Sequence, residues 1–191
     1  NPLKILVAGC GTGQHLLNVQ QYKNAQITGI DLSLSSLAYA QRKINELKIN
    51  NIQLIQMDIL EVSVLKQKFD IIESSGVLHH MKDPSKGLSA LLHVLKDNGF
   101  LKLGLYSQIA RTNIVQAREY INTKNLQPNV TDIKAFREDV LSGKIKQVSN
   151  IRDLADFYTM SECRDLCFHV QEHRFTMKKL KEILDYHELN F

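Results

Sequence analysis

Short apolar runs alternate with longer amphipathic stretches over the first hundred residues of the chain. Five of these runs have the length of a β-strand, and they occupy residues 3–8, 26–31, 52–58, 69–74 and 99–106. The first and fourth are almost continuously apolar, which is typical of strands covered on both faces of a sheet. Because helical patterns separate the strands, the sequence predicts right-handed crossovers and an α/β fold with a doubly wound, mostly parallel sheet.

Helix signals lie between these runs and dominate after residue 106. Ser33 is a predicted N-cap, Pro84 suits the first turn of another helix, and the turn sequence DNG at residues 97–99 is predicted to close that helix. Further predicted helices span residues 109–124, 131–142 and 151–168, and a last one begins after Thr176. The chain after the fifth strand is therefore predicted to be mainly helical.

A glycine-rich loop, Gly9-Cys10-Gly11-Thr12-Gly13, joins the first predicted strand to the next helix. Glycines permit positive φ and let a ligand approach the backbone, and the helix start that follows offers free N–H groups. A loop of this kind is typical of nucleotide-like cofactor sites, but a plain structural turn can have the same composition. The loop alone leaves both readings open.

Two aspartates end the next two predicted strands. A carboxylate at Asp31 is placed to accept hydrogen bonds from ribose hydroxyls, as in NAD enzymes, although a turn or N-cap aspartate is the alternative. Asp58 ends the third strand, where it can reach an adenine amino group while Leu32 and Ile59 offer apolar contact to the ring. Its alternative is a solvated turn acid. Together with the glycine loop, these residues predict a site for a nucleoside-containing cofactor.

Residues 3–106 resemble the class I S-adenosylmethionine-dependent methyltransferases. The resemblance lies in the segments ILVAGCGTG, TGIDLS, QMDIL and FDIIESSGVLHHM, followed by LLHVLKDNGFL. It implies a Rossmann-like fold with S-adenosylmethionine as cofactor, in which the glycine loop holds the methionine portion and the segment 73–79 flanks the transferable methyl group. The cofactor-binding residues that it implies are Gly9, Cys10, Gly11, Gly13, Asp31, Leu32, Asp58, Ile59, Ser74 and Ser75.

One position departs from the pattern of this family. Many members carry an acidic residue two places before the first glycine, and this chain has Val7 there. The usual hydrogen-bond anchor of the loop is then missing or replaced.

The resemblance also divides the chain. Residues 1–106 are predicted to form the cofactor-binding core, and residues 107–172 a helical insert or lid that contains the substrate region. Residues 173–191 resemble the last core helix and the start of a truncated strand. Because the family's sheet ends in an antiparallel hairpin, we expect the natural protein to continue past Phe191.

Candidates for acid–base catalysis are few, since methyl transfer depends mainly on orientation and on the reactivity of the cofactor. His79 and His80 follow the fourth strand, where a histidine can relay a proton at neutral pH, although packing is the alternative role. Tyr158 and His169 in the insert complete the catalytic candidates. No dedicated base is required by the chemistry.

The end of the insert is dense in polar and titratable groups. Arg164, Asp165 and His173 are predicted to contact the methyl acceptor. The alternative is that they lie on a half-exposed helix and form only salt bridges within it. The spacing of Cys163, Cys167, His169 and His173 invites a zinc site, but ligands along one short helix rarely converge tetrahedrally. We therefore predict no metal.

Composition and charge narrow the function classes. The 24 basic and 20 acidic side chains give a net charge of +4, too small a surplus to indicate nucleic acid by itself. The fourth strand continues Glu73-Ser74-Ser75-Gly76 rather than into an Asn/Asp-Pro-Pro-Tyr signature, which disfavours nucleic-acid methylation. No apolar run is long enough to cross a bilayer, and three cysteines without a signal peptide favour a reduced, cytoplasmic location.

The predicted function is methyl transfer from S-adenosylmethionine to an unidentified acceptor. The insert resembles bacterial methyltransferases fused to tetratricopeptide repeats and is distantly similar to bacterial protein-lysine methyltransferases, which implies a protein side chain as acceptor. A small-molecule acceptor, a catalytically inactive S-adenosylmethionine-binding module and an NAD-dependent oxidoreductase remain as alternatives.

Overall fold

The computed structural model describes residues 1–169 and 171–191, without the side chain of Ser149. Val170, which falls in the predicted insert, lies outside the described residues. The chain divides into two compact units, Asn1–Leu105 and Tyr106–Phe191. Among the described residues, no helix has the length and apolar character needed to span a membrane.

The first unit is a five-stranded parallel sheet with helices between the strands. Its elements are β1 Leu3–Ala8, α1 Gln14–Asn18, β2 Ala25–Asp31, α2 Leu34–Glu46, β3 Ile52–Gln56, β4 Phe69–Ser75, α3 Pro84–Val94 and β5 Leu95–Gly104. Short 3-10 helices occupy Val19–Gln21, Ile59–Leu65 and Leu78–His80. The strand order β3-β2-β1-β4-β5, with every pair parallel, confirms the predicted doubly wound sheet.

The centre of the sheet explains the continuous apolar pattern of the first strand. β1 lies between β2 and β4, so that Ile5 and Leu6, which point to opposite faces, are both fully buried. The strand order reverses between β1 and β4, because the chain winds outward from β1 in one direction and from β4 in the other. In open α/β sheets, ligands bind beyond the carboxyl ends of the strands at such a reversal.

The predicted helix start at Ser33 is confirmed, because its hydroxyl accepts a hydrogen bond from the Ser36 backbone N–H at 3.2 Å. The predicted helix end at residues 97–99 is wrong. Helix α3 stops at Val94, and Leu95 is already extended and pairs with Phe69. The DNG turn instead interrupts β5, since Asn98 has φ +64° and the pairing resumes only at Phe100.

The second unit is helical. It contains α4 Thr112–Thr123, α5 Val130–Leu141, α6 Met160–Phe168 and α7 Met177–Tyr186, with 3-10 helices at Lys146–Asp153 and Ala155–Phe157. Its core includes Ile114, Phe136, Phe157, Cys163 and Phe168. These aromatic rings meet edge to face: Phe136 lies 5.7 Å from Phe168 and 6.4 Å from Phe157, centroid to centroid.

The prediction of one helix over 151–168 is only half right. Leu154 is extended and separates the two 3-10 segments from each other, and the extended Thr159 separates them from the helix that follows. Helix α6 starts anew at Thr159, whose hydroxyl accepts a hydrogen bond from the Glu162 N–H at 3.2 Å and bonds the Glu162 carboxylate at 2.7 Å. This N-cap is a strong local start signal, and it outweighs the helical spacing before it.

The last helix is grouped with the second unit. Thr176 caps α7 as predicted, with its hydroxyl 3.1 Å from the Lys179 backbone nitrogen. Just before it, Phe175 forms an isolated parallel bridge with Ser107, and its N–H bonds the carbonyl of Tyr106 at 2.8 Å. The start of the second unit is therefore hydrogen-bonded to the segment just before α7. The division of the chain at residue 172 stays a prediction.

Candidate functional site

A cavity of about 530 Å³ lies beyond the carboxyl ends of the parallel strands, where the strand order reverses. Its walls come from Gly9 and Gly11 after β1, Asp31 and Leu32 at the end of β2, residues 57–60 after β3, and Ser75, Gly76 and Val77 at the end of β4. His80, Met81 and Lys82 complete the lining. Its volume is in the range of small-molecule and cofactor sites.

The glycine loop bends toward the cavity through left-handed backbone at Gly9 (φ +76°) and Gly11 (φ +52°). A Cβ atom on Gly9 would lie 2.2 Å from Cγ2 of Val77, so glycine is required for the loop to approach the segment after β4. A Cβ atom on Gly11 would have no neighbour within 4 Å, so the backbone there faces open space. This is the kind of cradle that a ligand can approach closely.

The loop is fixed by β2 rather than by an acidic residue at Val7. The N–H groups of Gly9 and Cys10 both donate to the carbonyl of Ile30, at 2.8 and 3.0 Å. The Gly11 N–H donates to Oδ2 of Asp31 at 2.7 Å. The anchor expected at Val7 is therefore replaced by the end of the neighbouring strand.

Asp31 is held in one orientation at the mouth of the cavity. Its second oxygen, Oδ1, accepts a hydrogen bond from the Ser33 N–H at 2.8 Å. Each carboxylate oxygen has two lone pairs, so each can accept one further hydrogen bond from a ligand. A fixed, half-buried carboxylate of this kind suits a pair of vicinal hydroxyls.

The third strand contributes an apolar wall with one polar end. Asp58 caps the 3-10 helix that follows β3, with Oδ1 accepting from the Leu60 N–H at 2.9 Å. Leu32 is 65% exposed although it is apolar, and it lines the cavity together with Ile59. Exposed apolar side chains beside a cavity indicate a surface that a flat, apolar ligand group can cover.

Seven of the ten predicted cofactor residues line this cavity, and three do not. Cys10 is 3% exposed and packs into the core with Leu16 and Leu37. Burial, reinforced by the charge of Asp31, raises the pKa of the Cys10 thiol to about 12. Gly13 lies instead against α2, where an added Cβ atom would be 3.0 Å from that of Ala40, and Ser74 is buried inside β4.

The two predicted histidines belong to the same 3-10 helix, but their side chains lie in different environments. His80 lines the cavity, whereas His79 is fully buried. Their rings meet edge to face with centroids 4.3 Å apart, so His79 can fix the orientation of His80. Met57, Leu60, Met81 and Lys82 also line the cavity and were missed, although the first three lie inside the quoted motifs and Lys82 directly follows one.

The candidates in the second unit lie in and after α6. Arg164 and Asp165 are exposed on the side of α6 opposite its buried residues. Tyr158 is half exposed and donates its hydroxyl hydrogen to the carbonyl of Arg152 at 2.8 Å. His169 accepts from the Gln171 N–H at 3.3 Å, and the side chain of His173 lies 3.2 Å from that of Gln171.

The cysteines considered for zinc are placed in the core of the second unit. Cys163 and Cys167 are both almost fully buried and are hydrogen-bonded to each other. They belong to the same apolar cluster as Ile114 and Phe136. This burial explains the i, i+4 spacing of the two cysteines by packing alone.

A buried ion pair in the second unit was not predicted. The Arg111 guanidinium hydrogen-bonds the Glu172 carboxylate, donates to the carbonyl of Leu166 at 3.2 Å and stacks 3.8 Å from the ring centroid of Tyr106. Arg118 approaches the same carboxylate at 3.4 Å. Burial alone would raise the pKa of Glu172, but these two arginines and Arg174 outweigh it and hold the pKa below its usual value.

Comparisons with known proteins agree with this geometry. A family model described as a methyltransferase domain matches residues 2–186. A malonyl-[acyl-carrier protein] O-methyltransferase from Acetivibrio thermocellus is 31% identical over 108 residues, which cover 56% of this chain and 37% of that protein. An uncharacterized protein from a Synechococcus strain is 38% identical over 122 residues, covering 62% of this chain and 29% of that protein.

A solved structure has the same fold along the whole chain. PKMT2 from Rickettsia typhi superposes with a TM-score of 0.80 at 23% identity, over 100% of this chain and 40% of that one. The same protein in complex with AdoHcy gives a TM-score of 0.77 at 21% identity, over 97% of this chain and 39% of that one. The chain thus spans well under half the length of the relatives named here.

Proposed function

The chain belongs to the methyltransferase-domain family, whose class I members use S-adenosylmethionine, and on that premise we propose that it binds this cofactor in the cavity beyond the strand ends and transfers its methyl group. The observation that carries the proposal is Asp31, fixed by the Gly11 and Ser33 N–H groups at the mouth of that cavity. Its oxygens keep lone pairs for ribose hydroxyls. The open backbone at Gly11 fits the group as well.

We assign the nucleoside to the β2 and β3 side of the cavity. Asp31 would hold the ribose, and Asp58 would accept a hydrogen bond from the adenine amino group. Leu32 and Ile59 would cover the adenine ring. The methionine portion would then extend toward Gly9 and the segment after β4, which Gly9 approaches without a side chain.

The bound cofactor supplies an electrophilic methyl group on a sulfonium, so the chain itself needs to orient the acceptor and exclude water. His80 is the imidazole of the lining, and it would accept a proton that leaves the acceptor. His79 would act as a positioning residue, because its buried ring contacts that of His80. Tyr158 and His169 remain further candidates for proton transfer.

We propose a protein side chain as the methyl acceptor, contacted by Arg164, Asp165 and His173. The support is the exposure of the two charged residues on α6, together with the resemblance of the insert to enzymes that act on proteins. A fusion to tetratricopeptide repeats in the full-length protein is part of this proposal and rests on the resemblance of the insert alone. A small-molecule acceptor is the second candidate, and the malonyl-[acyl-carrier protein] O-methyltransferase relative adds an acyl group on a carrier protein as a third.

Titration calorimetry tests the cofactor site. We expect the chain to bind S-adenosylhomocysteine, the product form of the cofactor, and not NAD. Replacing Asp31 with Ala should weaken that binding at least about tenfold, since two hydrogen bonds to a charged group are lost. Binding of NAD in preference, or unchanged affinity in D31A, would contradict the assignment. Labelled-methyl transfer into a cell extract, separated into protein and small-molecule fractions, then identifies the acceptor class.

A further inference from the structure

Glu73 is a buried carboxylate in the middle of the sheet. It belongs to β4, and its side chain is 4% exposed. One oxygen, Oε2, lies 3.2 Å from Nζ of Lys102 on β5. The other oxygen, Oε1, is buried and has no hydrogen-bond partner among the described residues. Buried carboxylates are costly unless their oxygens are paired, so this atom requires an explanation.

The strand register places Glu73 beside Val7. The two residues are aligned partners in the parallel pair β1–β4, and aligned residues of neighbouring strands point to the same face. Val7 lies two residues before Gly9, and Glu73 lies two residues before Ser75. Gly9 and Ser75 both line the cavity, so Val7 and Glu73 each lie two residues before a residue of its lining.

The glycine loop does not use this carboxylate. Four of its five N–H groups already donate within the first unit: Gly9 and Cys10 to Ile30, Gly11 to Asp31, and Gly13 to Cys10. The carboxylates of the lining, Asp31 and Asp58, are committed to the nucleoside end. Glu73 does not itself line the cavity, but it is a buried carboxylate two residues before Ser75 of the lining, and its Oε1 can still accept a hydrogen bond.

We propose that Glu73 supplies from β4 the carboxylate that is absent from β1 at Val7, and that Oε1 accepts a hydrogen bond from the α-ammonium group of the cofactor's methionine portion, directly or through one water. The inference rests on the proposed function. The buried anion and the ligand cation compensate each other, which explains why Oε1 is kept without a protein partner. Lys102 is 64% exposed, and an ion pair with so exposed a partner does not by itself offset the burial of Glu73.

Two ligands separate this role from a purely structural one. S-adenosylhomocysteine carries the α-ammonium group, whereas 5′-methylthioadenosine has the same nucleoside and sulfur without the amino-acid portion. In calorimetry, E73Q should weaken binding of S-adenosylhomocysteine about 10- to 100-fold and leave that of 5′-methylthioadenosine within about twofold. The matched control K102M removes the other charge of the β4–β5 pair and should change neither affinity by more than about twofold. Adding V7E to E73Q should restore part of the lost affinity.

Equal weakening of both ligands in E73Q, or no change in either, would overturn the inference, because the carboxylate would then act only through the fold or not at all. Retained 5′-methylthioadenosine binding shows that E73Q is folded. Should E73Q fail to fold, E73D takes its place, and an unchanged ratio of the two affinities in E73D would equally overturn the idea. If the unsubstituted chain binds neither ligand, the proposed function itself fails, an outcome distinct from a failure of the Glu73 assignment alone.

Discussion

At the scale of single residues, the conformation of the glycine loop depends on the close approach of Gly9 to Val77. Gly9 combines φ +76° with a Cβ position 2.2 Å from Val77, whereas Gly11 has φ +52° and open space around it. We expect Gly9→Ala to destabilise the fold by about 2–5 kcal/mol, from left-handed strain plus overpacking. Gly11→Ala should cost only about 1–2 kcal/mol, from the strain alone. Urea unfolding of both variants measures the difference.

The control for this contrast is Val77→Ala. In the G9A background it removes the Cγ atoms that the new methyl group meets, so part of the lost stability should return. Equal destabilisation by G9A and G11A would show that contact with Val77 does not decide the loop's composition.

The thiol of Cys10 gives a pH prediction at the same scale. Because burial and the charge of Asp31 raise its pKa to about 12, it should stay protonated and react slowly with iodoacetamide at pH 8. In the unfolded chain the thiol ionises near its ordinary pKa. The free energy of unfolding should therefore be at its full value below about pH 8.5 and should decline as the pH rises above it. Peptide mapping after alkylation, native against urea-unfolded, measures Cys10 specifically. Equal rates in both states would contradict its burial.

The placement of residues at the cavity was predictable from the sequence where it follows from position along the chain. Asp31 ends a strand after a glycine loop, and both features are visible in the letters. Glu73 was grouped only with the segment near the methyl group, because its position beside Val7 depends on the register between β1 and β4. The register joins Val7 to a residue 66 positions later in the chain, and the local sequence of either strand does not show which residues are aligned.

At the scale of elements, the Arg111–Glu172 pair ties the residue before α4 to the segment before α7. Both side chains are buried, so Glu172→Gln should destabilise the second unit by about 3–5 kcal/mol by leaving a guanidinium without its charge partner. The exposed pair Lys181–Asp185 on α7 is the matched control, and D185N should change the melting temperature little. Differential scanning calorimetry distinguishes the two, and equal effects would contradict the importance of burial.

The Arg111–Glu172 pair also predicts that the second unit loses stability at acid pH. The pKa of Glu172 is lowered in the folded state, so its stabilisation is present above the ordinary glutamate pKa and is lost as the pH falls through the folded value. We expect the difference in unfolding free energy between the unsubstituted chain and E172Q to shrink progressively below about pH 4.5. A difference that is constant from pH 7 to pH 3 would exclude this cause.

Elements were predicted well where one signal dominates and poorly where two compete. Helix α2 follows a single N-cap and an amphipathic face, and its start agrees with the prediction. At residues 95–99, the turn sequence was assigned to the end of α3, but pairing of Leu95 with Phe69 extends the strand across it. Before α6, the N-cap at Thr159 outweighs the helical spacing of the preceding residues. In both cases the competing signal is a partner or a cap that periodicity does not contain.

At the scale of the whole molecule, the predicted roles separate between the two units. The residues assigned to the cofactor belong to Asn1–Leu105, and the acceptor candidates Arg164 and Asp165 belong to Tyr106–Phe191. We therefore expect R164A to leave the dissociation constant of S-adenosylhomocysteine within about twofold while it lowers methyl transfer to the acceptor by about tenfold or more, the equivalent of losing one charged hydrogen bond.

The control is Lys181→Ala, which removes another exposed cation, from α7 of the same unit, and should change neither quantity. Calorimetry with the product cofactor and labelled-methyl transfer on the same preparations give the two readouts. Because D31A should raise the dissociation constant and R164A should not, the pair of variants assigns each unit its own step.

If R164A weakened cofactor binding as D31A does, the second unit would contribute to the cofactor site as well, and the separation of roles would be wrong. If R164A and K181A both left transfer unchanged, the exposed face of α6 would be excluded as the acceptor surface, while the cofactor site on the first unit would stand.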